Sequence, residues 1–481
     1  MNLTKEINPH IFREYDIRAI AEEELSNDVC YTIGRSFGSF VKEKQNEKVL
    51  VGHDNRMSSP RISACIIQGL LESGIDVIDL GLITTPIMYF AKRYYDIPAC
   101  IMITASHNTK EYNGFKLSFS KERSAYGPQI EELKNYTFNQ KFKEGLGKCE
   151  ERNIKKAYFE NIKKSINLGS RKVKVVIDCG NGTGSVIIRD ILDMFNIEYE
   201  LLYCDSDPTF PNHTADPAVS ANMIDLSKKV KETKADFGIG IDGDADRVGV
   251  VDENGKYLTA DLVMLIIYRS LAKTMKNKKG LLDVKCSRTL IDGLKDLGIE
   301  PIMNRTGAVY CNVRANKENL DFSGEYSGHF TFRDKYPGFD DGIYAGLRLI
   351  EILSNSNKKF SNLLDNINKY YSTEELKIKV TEENKFEIVN QILNYVKEKQ
   401  YNYEDIDGVR VEFENAWALV RASNTGPNLT VRFEAKTKEE LQKIQKEFET
   451  KINQIIKEIW PQSHIFSSKT YWNKNKNYDI M

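Results

Sequence analysis

Net charge is almost absent from this chain: 68 Lys and Arg stand against 69 Asp and Glu in 481 residues, a formal charge of −1. That balance excludes a protein that coats nucleic-acid phosphates, which needs a basic excess, but permits a small phosphorylated ligand held by a local cluster of donors. Long apolar runs are missing too. Stretches such as Leu262–Ile267 are core-sized, far short of the ~20 residues that span a bilayer. The opening Met1-Asn-Leu-Thr-Lys-Glu-Ile7 has no apolar stretch of the signal-peptide kind. Eight cysteines occur without a Cys-x-x-Cys pair, which indicates neither a disulfide framework nor a zinc knuckle. Hydrophobic residues at 41% and charged residues at 28% are too apolar a mixture for a disordered chain. The expectation is a reduced, soluble, cytoplasmic protein with no nucleic-acid and no membrane partner; the sequence does not give its oligomeric state.

Its length suggests three or four domains. Strand-length apolar runs alternate with amphipathic stretches over about the first three quarters. Lys48–His53 reads as a buried strand, and Ser59–Ser73, with Ile62, Cys65, Ile66, Gly69 and Leu70 at helical spacing, as the helix after it. Val77–Leu80 and Ala99–Thr104 read as further strands. The cycle restarts at Val173–Cys179, which runs into Gly180-Asn-Gly-Thr-Gly184 and a helix, and again at Gly280–Lys285 with a helix to Leu297. Three similar α/β domains with mixed sheets are expected, followed by an α+β domain in which Asp407–Phe413, Trp417–Arg421 and Leu429–Phe433 are strands and Lys438–Ile459 is a charged helix. The expected boundaries are 1–150, 151–252, 253–366 and 367–460, with a loosely ordered tail over 461–481.

Four loops could carry chemistry. Asp242-Gly-Asp-Ala-Asp-Arg247 lies between two strand-like runs, Phe237–Ile241 and Val248–Val251. Three carboxylates at alternate positions of a tight turn can converge on one hard cation such as Mg²⁺. A calcium loop of the EF-hand kind also begins Asp-x-Asp-x-Asp, but Arg247 stands where that loop needs glycine and the flanks are strands. A solvated acidic turn is the plainer alternative. Thr104-Ala-Ser-His-Asn108 follows the strand Cys100–Ile103 and offers Ser106 as a nucleophile beside His107, or only turn chemistry and a helix cap. Ser323-Gly-Glu-Tyr-Ser-Gly-His329 presents Glu325, Ser327 and His329, suited to sugar hydroxyls or simply a polar turn. Arg421-Ala-Ser-Asn-Thr-Gly-Pro427 combines a guanidinium, small polar residues and turn N–H groups, the makings of an anion-binding concavity. Gly180-Asn-Gly-Thr-Gly-Ser185 invites a dinucleotide reading, but its third glycine position is Ser185, so a tight βα turn is expected.

Together these loops resemble the α-D-phosphohexomutase family, and within it the bacterial phosphomannomutase/phosphoglucomutase group. The resemblance runs from Phe12-Arg-Glu-Tyr-Asp-Ile-Arg18 to about residue 460, with one motif in each expected domain. It implies four domains around a central active-site cleft, contributing in turn a phosphoserine loop, a metal loop, a sugar loop and a phosphate loop. By resemblance, Ser106 is the phosphorylated serine and binds Mg²⁺ together with Asp242, Asp244 and Asp246. Glu325, Ser327 and His329 form the sugar loop, and Arg421, Ser423, Asn424 and Thr425 the phosphate loop. Arg247, Lys116 and Lys285 match basic residues around the reacting phosphoryl, and Tyr15 and Arg18 match the N-terminal motif. The implied activity is interconversion of hexose 1-phosphate and hexose 6-phosphate, of mannose, glucose or both, through a phosphoserine enzyme and a hexose 1,6-bisphosphate. A phosphoglucosamine mutase and a catalytically silent sugar-phosphate binder are the alternatives. Two positions depart from the family: Ala19 replaces a glycine after Arg18, and Ala308 stands where close relatives carry His.

Overall fold

The computed structural model describes residues 1–120, 124–424 and 426–459, with the backbone of Asp479–Ile480. Among them no helix is long and apolar enough to cross a membrane. The chain packs as two units, one of residues 1–277 and 307–365, the other of residues 278–306 and 366 onward.

Two mixed sheets organise the first unit. One runs in the order Ile17–Ile20, Tyr112–Phe119, Ala99–Ile103, Lys48–His53, Asp76–Leu82, Cys149–Glu151. The expected strand Lys48–His53 lies between two parallel neighbours, and parallel strands covered on both faces become continuous apolar runs. The expected helix forms over Ser59–Glu72 and buries Ile62, Cys65, Ile66, Gly69 and Leu70, placing the 3.6-residue stripe against a core that includes Ile33, Phe37, Val49 and Val51. Ala99–Ile103, buried along its whole length, ends at the Ser106 loop.

The other sheet runs Tyr257–Leu258, Val248–Asp252, Phe237–Ile241, Lys174–Asp178, Glu198–Leu202. Phe237–Ile241 and Val248–Asp252 are antiparallel and buried at every position. Their connection is the acidic loop, so strands flank it as the sequence predicts. Glycine allows two backbones to meet here. A Cβ on Gly182 would fall 2.8 Å from Gly243 Cα, and one on Gly243 would fall 2.5 Å from the Ser106 carbonyl oxygen. The glycine-rich run at 180–184 is therefore a close-packing turn beneath the acidic loop, and Thr183 N–H donates to Gly243 O at 2.9 Å. A hairpin, Phe322–Gly324 with Phe330–Phe332, carries the Glu325–His329 turn.

In the second unit, Lys279–Asp283 and Glu300–Asn304 pair in parallel across the helix Arg288–Asp296. An antiparallel sheet follows in the order Asn402–Glu404, Val409–Glu412, Ala416–Ala422, Asn428–Ala435, Tyr371–Ser372, Asp479–Ile480, with Leu376–Lys379 also on Asn428–Ala435. Helices Lys385–Glu398 and Lys438–Ile459 contribute Ile388, Ile392, Phe448 and Ile452 to its core. Polar positions of the strands do not all meet water. Arg410 and Arg432 are fully buried around Trp417, with the Arg410 guanidinium carbon 3.9 Å from the ring centroid. Arg410 Nη1 donates to the carbonyls of Val284 (2.6 Å) and Cys286 (2.7 Å), fixing the Lys285 turn. Most of the expected tail lies outside the described residues; within it, Asp479–Ile480 pairs antiparallel with Tyr371–Ser372.

Candidate active site

Ser106 sits where a buried strand gives way to a loop, itself buried and at φ +50°. The left-handed region costs a non-glycine residue ~1–2 kcal/mol, so surrounding contacts must impose it. Ser106 N–H donates to Thr104 Oγ1 at 2.9 Å, and the hydroxyl Oγ donates to Asp242 Oδ2 at 3.0 Å. His107 Nδ1 lies 3.2 Å from the same oxygen.

Asp242, Asp244 and Asp246 are buried, and each turns a carboxylate oxygen to a common point, all within 4.8 Å of one another. Ala245, at φ +68°, turns the loop between them. Burial first, then the charges of Asp244 and Asp246, raise the Asp242 carboxyl well above its usual range. Burial pushes Asp246 the same way, but Lys116, His329 and Arg247 outweigh it and hold that carboxyl well below. Lys116 Nζ bridges Asp244 Oδ2 (2.6 Å) and Asp246 Oδ2 (2.5 Å); these two carboxylates keep its ammonium protonated against burial. Thr85 Oγ1, at the start of the helix Thr85–Tyr94, donates to Asp244 Oδ2 at 2.6 Å. Asp244 Oδ1 is buried with no hydrogen-bond partner, and the buried Asp246 Oδ1 faces the His329 imidazole, with Nε2 at 3.4 Å. Convergent, anionic oxygen donors with unsatisfied lone pairs fit a hard divalent cation.

Glu325, Ser327 and His329 lie against this loop. Arg247 N–H donates to Asp242 Oδ1 at 3.0 Å, and Arg247 and His329 form a backbone bridge. His329 Nδ1 stands 3.2 Å from Glu325 Oε2 and 3.0 Å from Ser327 Oγ, with Nε2 3.4 Å from Asp246 Oδ1. Burial and Arg247, whose Nε is 3.3 Å from Nε2, oppose protonation, but Asp246 and Glu325 prevail and the imidazole is pushed up to about 10. Glu325 Oε1 accepts the Gly307 N–H at 2.5 Å. A Cβ on Gly307 would meet the Tyr15 ring at 2.9 Å, which places Tyr15 at the same turn. Arg18 reaches Asn108 Oδ1 at 2.6 Å and Asp16 Oδ2 at 2.5 Å. Tyr15, Arg18, Ser106, Lys116, Asp242, Asp244, Asp246, Arg247, Glu325, Ser327 and His329 thus all belong to the first unit.

Ala308 opens the helix Ala308–Lys317, one residue after Gly307. An imidazole introduced here would start beside the Glu325 contact. Ala308→His is expected to change kcat more than KM, and unequally for mannose and glucose substrates. Steady-state kinetics on both sugars check this, and an unchanged kcat for both would mean that another group already serves as the base.

The second unit holds the remaining predicted residues. Arg421 is buried and pairs with Asp407, Nε to Oδ2 at 3.0 Å and Nη2 to Oδ1 at 3.4 Å. Asp407 Oδ2 also accepts the Thr306 N–H at 2.9 Å. Ser423 N–H donates to Asn428 O at 2.8 Å, and the buried Lys385 donates to the Ser423 carbonyl at 2.7 Å, closing the turn that carries Asn424. Thr425 lies outside the described residues. Lys285 Nζ is 3.1 Å from Glu375 Oε2. Burial would raise the Glu375 carboxyl, but Lys285 and then Lys377 and Arg421 bring it down to about 2.

Sequence reasoning passed over four of these side chains. Thr85, Glu375 and Asp407 act on motif residues far from them in the chain or from outside the motifs, through contacts that leave no local pattern. Arg56, three residues past the strand Lys48–His53, belongs to none of the four motifs, yet it is buried against the Ser106 loop.

Comparison with known proteins agrees with this geometry. Four models of phosphoglucomutase/phosphomannomutase match in order: alpha/beta/alpha domain I over residues 9–144, domain II over 156–255, domain III over 259–370 and the C-terminal domain over 375–451. A phosphomannomutase/phosphoglucomutase of Pseudomonas syringae pv. tomato is 38% identical over 449 residues, covering 93% of this chain and 96% of the relative. A phosphoglucomutase of Neisseria gonorrhoeae is 36% identical over 459 residues, covering 95% and 99%. The crystal structure of a phosphoglucomutase/phosphomannomutase family protein from Burkholderia thailandensis superposes with a TM-score of 0.86 at 34% identity, covering 95% of this chain and 99% of that one. With its serine, carboxylate triad and basic residues assembled as above, and with these models matching along nearly its whole length, the chain belongs to the phosphoglucomutase/phosphomannomutase family.

Proposed function

We propose that this chain interconverts the 1-phosphates and 6-phosphates of glucose and mannose through a phosphorylated Ser106 and a hexose 1,6-bisphosphate. One observation carries the reading: a buried serine hydroxyl 3.0 Å from the first carboxylate of a converging triad. A binding protein has no use for a phosphorylatable oxygen at such a point.

Asp242, Asp244, Asp246 and an oxygen on Ser106 hold Mg²⁺ in this reading. The bound ion supplies positive charge to the transferring phosphoryl oxygens. A hydroxyl of the bound sugar attacks the phosphorus of phosphoserine, the P–Oγ bond breaks and a P–O bond to the sugar forms. The net proton moves from that hydroxyl to Ser106 Oγ. Lys116 and Arg247 offset charge on the transferring group. Glu325 and Ser327 take sugar hydroxyls common to glucose and mannose, which differ only at C2, and His329 presents a cation among them. The bisphosphate then turns over and returns its other phosphate to Ser106. Lys285 is assigned to substrate phosphate, and the loop of Arg421, Ser423, Asn424 and Thr425 to the phosphate that is not reacting.

Arg421→Ala tests that last role. A charged hydrogen bond contributes ~1.5–3 kcal/mol, so kcat/KM is expected to fall ~10- to 200-fold. Most of the loss belongs in KM, because a non-reacting phosphate is held alike in ground and transition states. The penalty should be similar for glucose 1-phosphate and mannose 1-phosphate, with greater dependence on added glucose 1,6-bisphosphate. A loss confined to one sugar would mean that Arg421 reads the ring.

The reading as a whole is tested by coupled assays on glucose 1-phosphate, mannose 1-phosphate and glucosamine 1-phosphate. Turnover of the first two supports it. Preference for the third would make the protein a phosphoglucosamine mutase, and turnover of none, with the fold intact, would make it a binder.

A further inference from the structure

Arg56 is 1% exposed and every N–H of its guanidinium has a partner. Nε donates to Asp54 Oδ2 at 3.1 Å. Nη1 donates to the carbonyls of Thr109 (2.7 Å) and Tyr112 (3.1 Å), and Nη2 to those of Ser106 and Asn108, both at 2.7 Å. Asp54 is anchored in turn: its Oδ1 accepts the Arg56 N–H at 3.0 Å and the Ser59 hydroxyl at 2.6 Å. A single planar fork thus collects four carbonyls from Ser106 to the start of the next strand at Tyr112, one of them the carbonyl of Ser106 itself. The same carbonyl oxygen lies close to Gly243 of the acidic loop, where an added Cβ would fall 2.5 Å from it, so a guanidinium and a second backbone both crowd it.

We propose that Arg56 is a positioning residue for phosphoryl transfer, holding Ser106 in its left-handed backbone conformation so that Oγ is aimed at the metal loop. Resting on the mutase reading above, the role has a consequence that separates it from those of Lys116 and Arg247. All its contacts to the loop are to main-chain oxygens, so its grip is the same whether Oγ carries phosphate or a proton. Loss of that grip must slow transfer to the serine and transfer from it by one common factor, with no change in the equilibrium between phosphorylated and free enzyme.

Arg56→Lys keeps the charge but replaces the fork by a compact ammonium that cannot reach the same set of carbonyls. A displacement of the nucleophile on the 1 Å scale costs ~10²-fold in rate. Rapid-quench measurements on the full chain would follow phosphorylation of Ser106 by glucose 1,6-bisphosphate and its dephosphorylation by glucose 6-phosphate. Both rates are expected to fall by the same ~10²-fold, with KM and the phosphorylatable fraction near wild type. Unchanged rates would overturn the proposal. So would a loss in one direction only, which would mean a charge-stabilising role. A smaller phosphorylatable fraction reacting at normal speed would also overturn it, since that is what a merely structural residue produces. Should Arg56→Lys fail to fold, Asp54→Asn leaves the arginine in place and loosens its anchor; the same symmetric signature is expected at smaller size, and wild-type rates there would overturn the role. A wild-type enzyme that never carries phosphate on Ser106 would defeat the mutase reading instead.

Discussion

Ser106→Ala is expected to lower kcat by at least ~10⁴-fold and to abolish the phosphorylated form of the protein, because removing a covalent nucleophile leaves only binding and electrostatic contributions to the rate. The fold should survive. Ser106 is held mainly through its backbone, by Thr104 Oγ1 at its N–H and by Arg56 at its carbonyl, and the side chain donates a single hydrogen bond, to Asp242. KM for the sugar phosphate should therefore change little. Intact-mass analysis of purified protein before and after incubation with glucose 1,6-bisphosphate checks the phosphoform, and a coupled assay checks turnover. Phosphate found on another residue, with Ser106→Ala retaining full turnover, would remove this serine from the mechanism.

Exhaustive chelation is the second large effect. With three buried carboxylates converging on one point and Asp244 Oδ1 lacking a hydrogen-bond partner, stripping the divalent cation should cost transfer several kcal/mol, or ~10³-fold or more in kcat. Added Mg²⁺ should restore the rate. Unfolding is not expected, because Lys116 bridges two of the three carboxylates at 2.5–2.6 Å and Arg247 lies 3.8 Å from the third, so cations of the protein itself offset the anionic cluster. Circular dichroism and thermal melts of the chelated protein measure that separation of activity from fold. Full activity without divalent metal would refute the site. Loss of activity that no divalent cation restores would show that chelation had damaged the protein.

Much of the site was legible because its chemistry is local in the chain. Asp242, Asp244 and Asp246 alternate along one short loop, so a tight turn alone brings them together. The two runs beside them are apolar enough to be read as strands, which they are at Phe237–Ile241 and Val248–Asp252. The 180–184 glycines were legible as a turn but not in their purpose, since what Gly182 permits is the approach of Gly243 from another strand connection. The alternation of the Val409–Glu412 strand was legible as well, but not that Arg410 would be fully buried against Trp417.

The sequence by itself determined the alternation of strands and helices, the position of Ser106 just past a buried strand and the set of carboxylates able to hold a hard cation. Each of these depends on residue type and on spacings of a few positions, which period and turn chemistry report directly. Only the tertiary structure decided which side chains serve them. Asp244 is met by Thr85, 159 positions away, and by Lys116, 128 away; the Ser106 carbonyl by Arg56, 50 away; and Asp407 orients Arg421 from a neighbouring strand connection. Such pairings come from strand order and loop closure, and a buried polar group selects its partner by where folding places a donor, a fact that no stretch of neighbouring residues records.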